Sequence, residues 1–143
     1  MHLSKIKLQE KDYPKALEIW EKCVIATHDF LKEKDILELK NEIPTYFKYV
    51  KAYLWFNDKE AIGFSGTNEK NLEMLFIDPK YFRNGYGTEI LQYLIQENKV
   101  HYVDVNKDNH NAVKFYAKNG FKKYKESQKD GQGRNYPILH LKL

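Results

Sequence analysis

Apolar residues in the first third of the chain recur with a helical period. They stand at Ala16, Leu17, Trp20, Val24 and Ile25. This is the spacing of one face of an amphipathic helix, and Asp12 and Pro14 before it are residue types that favour a helix N-terminus. A short apolar segment at 3–8 predicts a preceding strand, and a second helical pattern covers about 33–50. Because proline disrupts a helix interior, Pro44 predicts that this second helix is split into two shorter pieces.

The remainder of the chain alternates short apolar runs with polar turns and two more helical segments. The apolar runs, which predict strands, lie at 52–56, 61–67, 72–77, 100–105, 121–124 and 137–143. Helices are predicted at about 85–97 and 108–119, the second ended by Gly120, as expected of a C-terminal cap. The resulting order, β-α-α-β-β-β-α-β-α-β-β, predicts an α/β fold. The 143 residues have the usual size of one domain, which we expect to cover 1–143.

Composition and charge narrow the range of partners. The 24 basic and 20 acidic residues give a net charge of +4 and are interspersed along the chain. This predicts a solvated surface with at most a mild attraction for a polyanionic small ligand. No dense basic segment is present for nucleic acid. The N-terminus has no apolar signal segment and the apolar runs are too short to cross a membrane, so we expect a cytoplasmic protein without a nucleic-acid or membrane partner.

The histidine and cysteine patterns indicate neither a metal site nor a covalent one. The five histidines show no ligand spacing such as H-x-x-x-H, so no bound metal is predicted. The one cysteine, Cys23, excludes an internal disulfide and has no partner in sequence for a nucleophilic dyad. We interpret it as a small core residue.

The segment after the 72–77 run carries the clearest chemical pattern. The strand is followed by a short loop, and Gly85 and Gly87 lead into the next predicted helix. A helix N-terminus presents unpaired N–H groups that bind phosphate, glycine lets the backbone approach a ligand, and Arg83 adds guanidinium donors. A dinucleotide fold would need a third glycine where Ile90 stands, and the lysine and hydroxyl residue of a P-loop do not follow the glycines. The pattern by itself is also compatible with an ordinary strand-to-helix turn.

Two motifs together resemble the GNAT acetyltransferases. The acetyl-CoA loop of that family reads R/Q-x-x-G-x-G/A, and both glycines are present, although Phe82 stands at the first position with Arg83 beside it. The second motif, N-x-x-N-x-x-A-x-x-F-Y-x-x-x-G-F, is complete in Asn106, Asn109, Ala112, Phe115, Tyr116, Gly120 and Phe121. Segments that resemble the YjaB-like branch of the family lie at 19–20, 26–31, 75–79 and 131–141. The resemblance therefore covers nearly the whole chain.

This resemblance implies both a fold and an activity. The implied fold is a GNAT-like mixed, mostly antiparallel twisted sheet of about seven strands flanked by helices. The implied activity is that of an N-acetyltransferase, a monomer or homodimer, in which a primary amine attacks acetyl-CoA directly. A second hypothesis is a non-catalytic or weakly active module that binds or senses acyl-CoA on the same fold, because Phe82 and Asn71 both depart from the family pattern.

The resemblance also assigns residues to the acetyl donor. Backbone groups of the strand at 75–77 are expected to pair with the pantetheine arm, and the following loop to hold the pyrophosphate. The implied cofactor-binding residues are Leu75, Phe76, Ile77, Arg83, Asn84, Gly85, Tyr86, Gly87, Thr88 and Asn109. Tyr116 matches the general acid that protonates the leaving thiolate, because a phenol with a pKa of about 10 is protonated at neutral pH. The structural alternatives are a core tyrosine for Tyr116 and a helix N-terminal residue for Asn109.

The general base has several candidates. Family members often carry a carboxylate at the position of Asn71, whose amide accepts no proton. Glu73 lies two residues further, on the same strand face by parity, and is one candidate, acting through water. His28 is another, because imidazole titrates near neutral pH. The alternatives are an exposed strand carboxylate for Glu73, a capping or packing role for His28, and deprotonation of the amine by solvent.

The acceptor is expected to approach from the side opposite the phosphates. The segments that flank this approach supply the predicted substrate-binding residues Asp29, Phe30, Asn71, Arg134 and Tyr136. Asp29 would attract a cationic amine and Arg134 would hold a carboxylate. The set favours a small amine-bearing metabolite over a protein, while the identity of the acceptor stays open. The structural alternatives are a helix cap for Asp29 and a solvated turn for Arg134.

Overall fold

A computed structural model describes residues 3–27 and 31–143. Its helices and strands follow the predicted order, with short 3-10 turns before α1 and after β4. The elements of the described segments are β1 (Leu3–Lys7), α1 (Tyr13–Thr27), α2 (Glu33–Phe47), β2 (Lys51–Asn57), β3 (Glu60–Asn68), β4 (Asn71–Ile77), α3 (Tyr86–Glu97), β5 (Tyr102–Asn106), α4 (His110–Lys118), β6 (Lys122–Ser127) and β7 (Ile138–Lys142).

The strands of the described segments form one seven-stranded sheet in the order β1-β2-β3-β4-β5-β7-β6. Neighbouring strands are antiparallel except β4 and β5, which are parallel. Short turns join β2, β3 and β4, whereas α3 makes the crossover that a parallel pair requires. The predicted mixed, mostly antiparallel sheet of about seven strands flanked by helices is confirmed.

Each face of the sheet buries a different set of apolar side chains. On one face α1 and α2 pack against the first strands, and the buried residues include Ala16, Ile19, Trp20, Val24, Ile43, Phe47, Leu54 and Phe64. On the other face α3 and α4 cover the middle of the sheet, and the buried residues include Trp55, Ile62, Leu72, Ile90, Leu91, Leu94, Val103 and Tyr116. The predicted apolar face of α1 is largely confirmed, but Ile25 is 70% exposed.

The predicted division of the second helix is wrong. α2 runs without interruption through Pro44, which lies in its last turn. Proline removes the N–H that would bond the carbonyl of Lys40, but few later residues depend on that turn. Ile43 and Phe47 flank the proline and are only 6% and 5% exposed. Burial of two such side chains stabilises the last turn by several kcal/mol, roughly matching the cost of about 3 kcal/mol for an internal proline.

β4 and β5 separate soon after they meet, and this fork positions the candidate site. Their pairing is limited to Asn71 with Tyr102 and Leu72 with Val103. Among the described residues, the rest of β4 is paired on its β3 side alone. The backbone groups that point into the fork are therefore available to an extended ligand.

A β-bulge in β4 accompanies the fork. The register between β3 and β4 shifts where Gly66 pairs with Met74 and Thr67 with Leu72. Glu73 is the extra residue of β4 at that point. A bulge bends a strand and increases its twist, which accounts for the divergence of β4 from β5.

Candidate active site

The fork opens into a cleft of about 490 Å³ bounded by β4, the loop before α3, and α4. A largely apolar lining with a few polar groups is typical of a small-molecule pocket of this size. The predicted cofactor-binding residues that line it are Leu75, Phe76, Ile77, Arg83, Gly85, Tyr86, Gly87, Thr88 and Asn109, together with the predicted acid Tyr116. Asn84 is not among the lining residues, and its side-chain amide donates to the carbonyl of Tyr81 at 3.0 Å; contact with the donor stays a prediction for Asn84.

Some residues of the cleft were not predicted from the sequence. Cys23 and Thr27, one turn apart on α1, contribute to its wall. Cys23 is buried, as predicted, and burial is the main cause that raises the pKa of its thiol. Phe115, quoted above only as part of a motif, also lines the cleft. The spacing of α1 predicts which side chains are buried, but not that one end of this face borders an open cleft.

The loop before α3 has the backbone geometry of an anion cradle. Gly85 caps the helix with a φ of +78°, and Arg83 also has a positive φ of +68°. For a non-glycine residue such a conformation costs on the order of 1 kcal/mol. No heavy atom lies within 4 Å of the position of a Cβ on Gly85. The first residues of α3 line the cleft, and the first N–H groups of a helix have no intrahelical partner, so they are available to bind phosphate.

Tyr116 lies at the bottom of the cleft, on the inner face of α4. Its side chain is only 7% exposed, and its ring packs edge-on against Phe115 and Phe121. Burial raises the pKa of Tyr116 well above its ordinary value. The phenol therefore stays protonated throughout the physiological range and keeps its proton available for donation.

Asn109 begins α4. Its side-chain oxygen accepts a hydrogen bond from the backbone N–H of Ala112 at 3.3 Å, so the helix-capping alternative considered above is observed. The residue is buried and also lines the cleft. Contact with the acetyl donor stays a prediction for Asn109.

A second, polar pocket of about 150 Å³ lies at the closed end of the fork. Asn71 and Glu73 of β4 line it, as the parity of the strand predicted, together with Tyr102, Asp104, Tyr124 and His140. Glu73 is accessible to solvent, but partial burial of its carboxylate, and then the negative charge of Asp104, raise its pKa. A base with a pKa closer to neutrality is better suited to proton transfer.

Arg134 is paired with carboxylates of the same chain. Its guanidinium donates to Glu38 and Glu42 at 3.0 Å each and contacts Asp130 at 3.4 Å, and its side chain is 13% exposed. Tyr136 donates its hydroxyl proton to Asp35, which lies on α2 like Glu38 and Glu42. Burial and this carboxylate raise the pKa of Tyr136. These contacts join the β6–β7 connection to α2. The role predicted for both residues in acceptor binding stays a prediction.

Replacement of Arg134 by methionine is expected to lower the free energy of unfolding by about 2 kcal/mol, because the three carboxylates named above lose their shared cation. Thermal or urea-induced unfolding measures this. Lys129→Met, at an exposed position in the same connection, is the matched control and should change stability little. An unfolding midpoint of Arg134→Met equal to that of the wild type would contradict the structural role.

The remaining predicted site residues, His28, Asp29 and Phe30, lie outside the described residues. Over residues 3–27 and 31–143, no cluster of three or more histidine, cysteine, aspartate or glutamate side chains is placed to hold a metal ion. In the same segments no helix is long and apolar enough to span a membrane.

Comparisons with known proteins lead to N-acetyltransferases. Residues 26–136 match the family described as Acetyltransferase (GNAT) domain. The chain is 32% identical over 128 residues to the peptidyl-lysine N-acetyltransferase YjaB of Salmonella typhimurium. The aligned residues cover 89% of this chain and 88% of that protein.

Solved structures show the same likeness. The solution structure of apo YjaB from Escherichia coli has a TM-score of 0.90 at 29% identity, over 99% of this chain and 97% of that one. The PaiA N-acetyltransferase of Thermoplasma acidophilum, solved with coenzyme A, has a TM-score of 0.72 at 21% identity, with both chains covered in full (100%). At this lower identity the likeness concerns the fold alone.

Proposed function

Because the chain belongs to the GNAT family and is an acetyl-CoA-dependent acyltransferase, we propose that its acceptor is a primary amine, the side chain of a lysine in a protein or peptide. The observation that carries the proposal is the fork between β4 and β5. One end of the fork leads to the helix N-terminus at Gly85, and its closed end borders the polar pocket with Glu73.

The donor fits this fork in one direction. Its pyrophosphate is held by the first N–H groups of α3, next to the C-terminal end of β4. Its pantetheine arm pairs with the unpartnered backbone edge of Leu75–Ile77, as an added strand would. The thioester then lies toward the closed end of the fork, between Leu75, which lines the cleft, and Glu73, which lines the polar pocket.

The proposed transfer needs two proton carriers. Glu73, directly or through a water molecule of the polar pocket, takes a proton from the acceptor ammonium, and the amine nitrogen attacks the thioester carbon. As the carbon–sulfur bond breaks, the Tyr116 hydroxyl donates its proton to the departing sulfur. The attacking nitrogen gives its second proton to water, and the Tyr116 phenolate takes a proton back from water, so the phenol is restored. The products are an N-acetylated amine and the thiol of coenzyme A. Because the Tyr116 phenol is held protonated by burial, it is suited to the acid role at any pH at which Glu73 is ionised.

The choice of acceptor rests on charge and on relatives. The polar pocket presents carboxylates and tyrosines, which suit a cation. The curated relatives YjaB and YiaC carry the name peptidyl-lysine N-acetyltransferase. The sequence favoured a small metabolite partly because Arg134 was expected to hold a free carboxylate, and that guanidinium already has carboxylate partners. Lysine in a protein or peptide is therefore the acceptor we propose in its place.

A panel of acceptors tests the proposal. Release of coenzyme A thiol from acetyl-CoA is measured with lysine-containing peptides, with the same peptides carrying arginine in place of lysine, and with small amines, and mass spectrometry locates the acetyl group. We expect acetylation of the lysine peptides alone or well ahead of the small amines. Faster turnover of small amines would favour the metabolite acceptor instead. Acetyl-CoA binding without thiol release would favour a sensing module.

Glu73→Gln is expected to lower kcat/KM for the acceptor about 10²-fold, the lower range for loss of a general base. In the wild type, kcat/KM should rise with pH through the raised pKa of Glu73, because the ionised carboxylate is the active form. The variant should lose this acid limb and keep wild-type affinity for acetyl-CoA. Glu69→Gln, in the turn before β4, is the control. Retention of both the rate and the acid limb would exclude Glu73 as the base.

A further inference from the structure

A chain of three hydrogen-bonded side chains borders the polar pocket and has no part in the mechanism above. His140 of β7 lies directly opposite Asp104 of β5 in the strand register, and its Nδ1 is 2.6 Å from Asp104 Oδ1. Its Nε2 is 2.7 Å from Ser127 Oγ on β6. With the Nδ1 proton donated to Asp104, the Ser127 hydroxyl donates to Nε2. Three neighbouring strands thereby hold one imidazole from both sides.

The charged groups around the imidazole lie on the same face of the sheet. Asp104 and Glu73 supply the carboxylates. Lys125 lies opposite His140 in the register of β6, and Lys142 lies over the ring of Tyr124 at 5.4 Å. Tyr102 and Tyr124 complete the pocket wall. The carboxylates lie on the β4–β5 side of His140 and the lysines on the β6–β7 side.

Of the three hydrogen-bonded side chains, Asp104 depends most on its partner for a fixed position. Its side chain is 64% exposed, whereas that of His140 is 18% exposed. An exposed carboxylate without a partner samples several rotamers, so its charge would not stay at the pocket. The charge-assisted bond to His140 restricts it to one position. The same negative charge contributes to the raised pKa of Glu73.

We propose that His140 is a positioning residue for acetyl transfer, which holds the Asp104 carboxylate at the polar pocket beside Glu73, where it attracts the cationic acceptor. The proposal rests on the proposed function, with Glu73 as the proton acceptor. Asp104 and His140 transfer no proton in this arrangement. The proton of the ammonium goes to Glu73 and from there to water of the pocket, and the hydrogen bonds of the chain only fix the geometry.

Four variants separate this role from a general structural one. His140→Phe removes both hydrogen bonds, and His140→Asn retains a donor at the place of Nδ1 without an ionisable ring. Asp104→Asn removes the charge alone, and the double variant Asp104→Asn with His140→Phe tests whether the two act together. Lys125→Gln, opposite His140 on the same sheet face, is the control. Each protein is compared by its unfolding midpoint, its acetyl-CoA affinity, and the pH profile of kcat/KM for a lysine peptide.

We expect His140→Phe and Asp104→Asn each to lower kcat/KM for the acceptor about tenfold, and the double variant to be no worse than about the poorer single variant. His140→Asn should recover to within about threefold of wild type. Removal of the Asp104 charge lowers the pKa of Glu73 toward its ordinary value, so the acid limb of Asp104→Asn should move to lower pH. Acetyl-CoA affinity should not change.

Several outcomes would overturn the proposal. They are wild-type kcat/KM in His140→Phe and Asp104→Asn, losses that multiply in the double variant, an acid limb that stays in place in Asp104→Asn, or a loss in His140→Phe explained by unfolding and not recovered by His140→Asn. Full activity of Glu73→Gln would also overturn it, because a loss of kcat/KM in the His140 variants could then not act through Glu73. Failure of the proposed function is distinct, because then the wild-type protein acetylates no lysine peptide.

Discussion

Replacement of Gly85 by valine is expected to weaken acetyl-CoA binding between about tenfold and a hundredfold. Gly85 caps α3 with a φ of +78°, a conformation that a β-branched residue adopts at a cost of about 1–3 kcal/mol. The loop would relax toward negative φ, and the first N–H groups of α3 would turn away from the pyrophosphate. Since about 1.4 kcal/mol corresponds to a factor of ten in affinity, strain alone accounts for the lower end of the range.

Steric exclusion adds to the strain. The position of a Cβ on Gly85 is open, with no heavy atom within 4 Å, so the side chain would occupy the space proposed for the phosphates and not that of the protein. For this reason the variant should fold with only a modest loss of stability. Isothermal titration with acetyl-CoA or coenzyme A measures the effect.

Gly131→Val is the matched control for this change. Gly131 also has open space around its Cβ position but no positive φ, and it lies in the β6–β7 connection, away from the cleft. Gly85→Asn separates the two causes, because asparagine tolerates the left-handed conformation and adds a smaller side chain. Wild-type affinity in a folded Gly85→Val protein would show that this loop does not hold the pyrophosphate.

The sequence was sufficient to predict the fold and the family, and most of the residues predicted to bind the donor line one cleft. Periodicity and turn residues located the helices and strands because each element buries one face, and the two faces of the sheet repeat this pattern. The glycines and the second motif predicted the GNAT family, which the match over residues 26–136 confirms, and the likeness to YjaB confirms the branch. These features are local in sequence, so a linear pattern is enough to find them.

The acceptor half depends on contacts that no local pattern contains. His140 and Asp104 meet only because β7 lies next to β5, which places residues 36 positions apart within 2.6 Å. Arg134 was considered as a solvated turn residue, but two of its partners, Glu38 and Glu42, come from a helix about 90 to 100 positions earlier. The bulge at Glu73 changes the direction of β4, but that strand contains no glycine or proline from which the bulge could be predicted. Sheet order and side-chain pairing across it had to be known first.

Replacement of Tyr116 by phenylalanine is expected to lower kcat by about 10²-fold to 10⁴-fold, the contribution of a general acid. The hydroxyl is proposed to act only when the carbon–sulfur bond breaks, so acetyl-CoA affinity and the acceptor KM should change much less than kcat. The ring stays packed between Phe115 and Phe121, which keeps the core intact in the variant.

The pH dependence and a control make the Tyr116 result specific. Burial raises the pKa of Tyr116, so ionisation of this phenol should cause no alkaline loss of turnover up to about pH 10, its ordinary pKa. Tyr93→Phe, at a half-buried tyrosine of α3 that packs on Trp55 outside the cleft, should leave kcat unchanged. Turnover is measured by stopped-time thiol release at saturating acetyl-CoA. A kcat of Tyr116→Phe equal to that of Tyr93→Phe would show that Tyr116 serves only the core, and the thiolate would then take its proton from water.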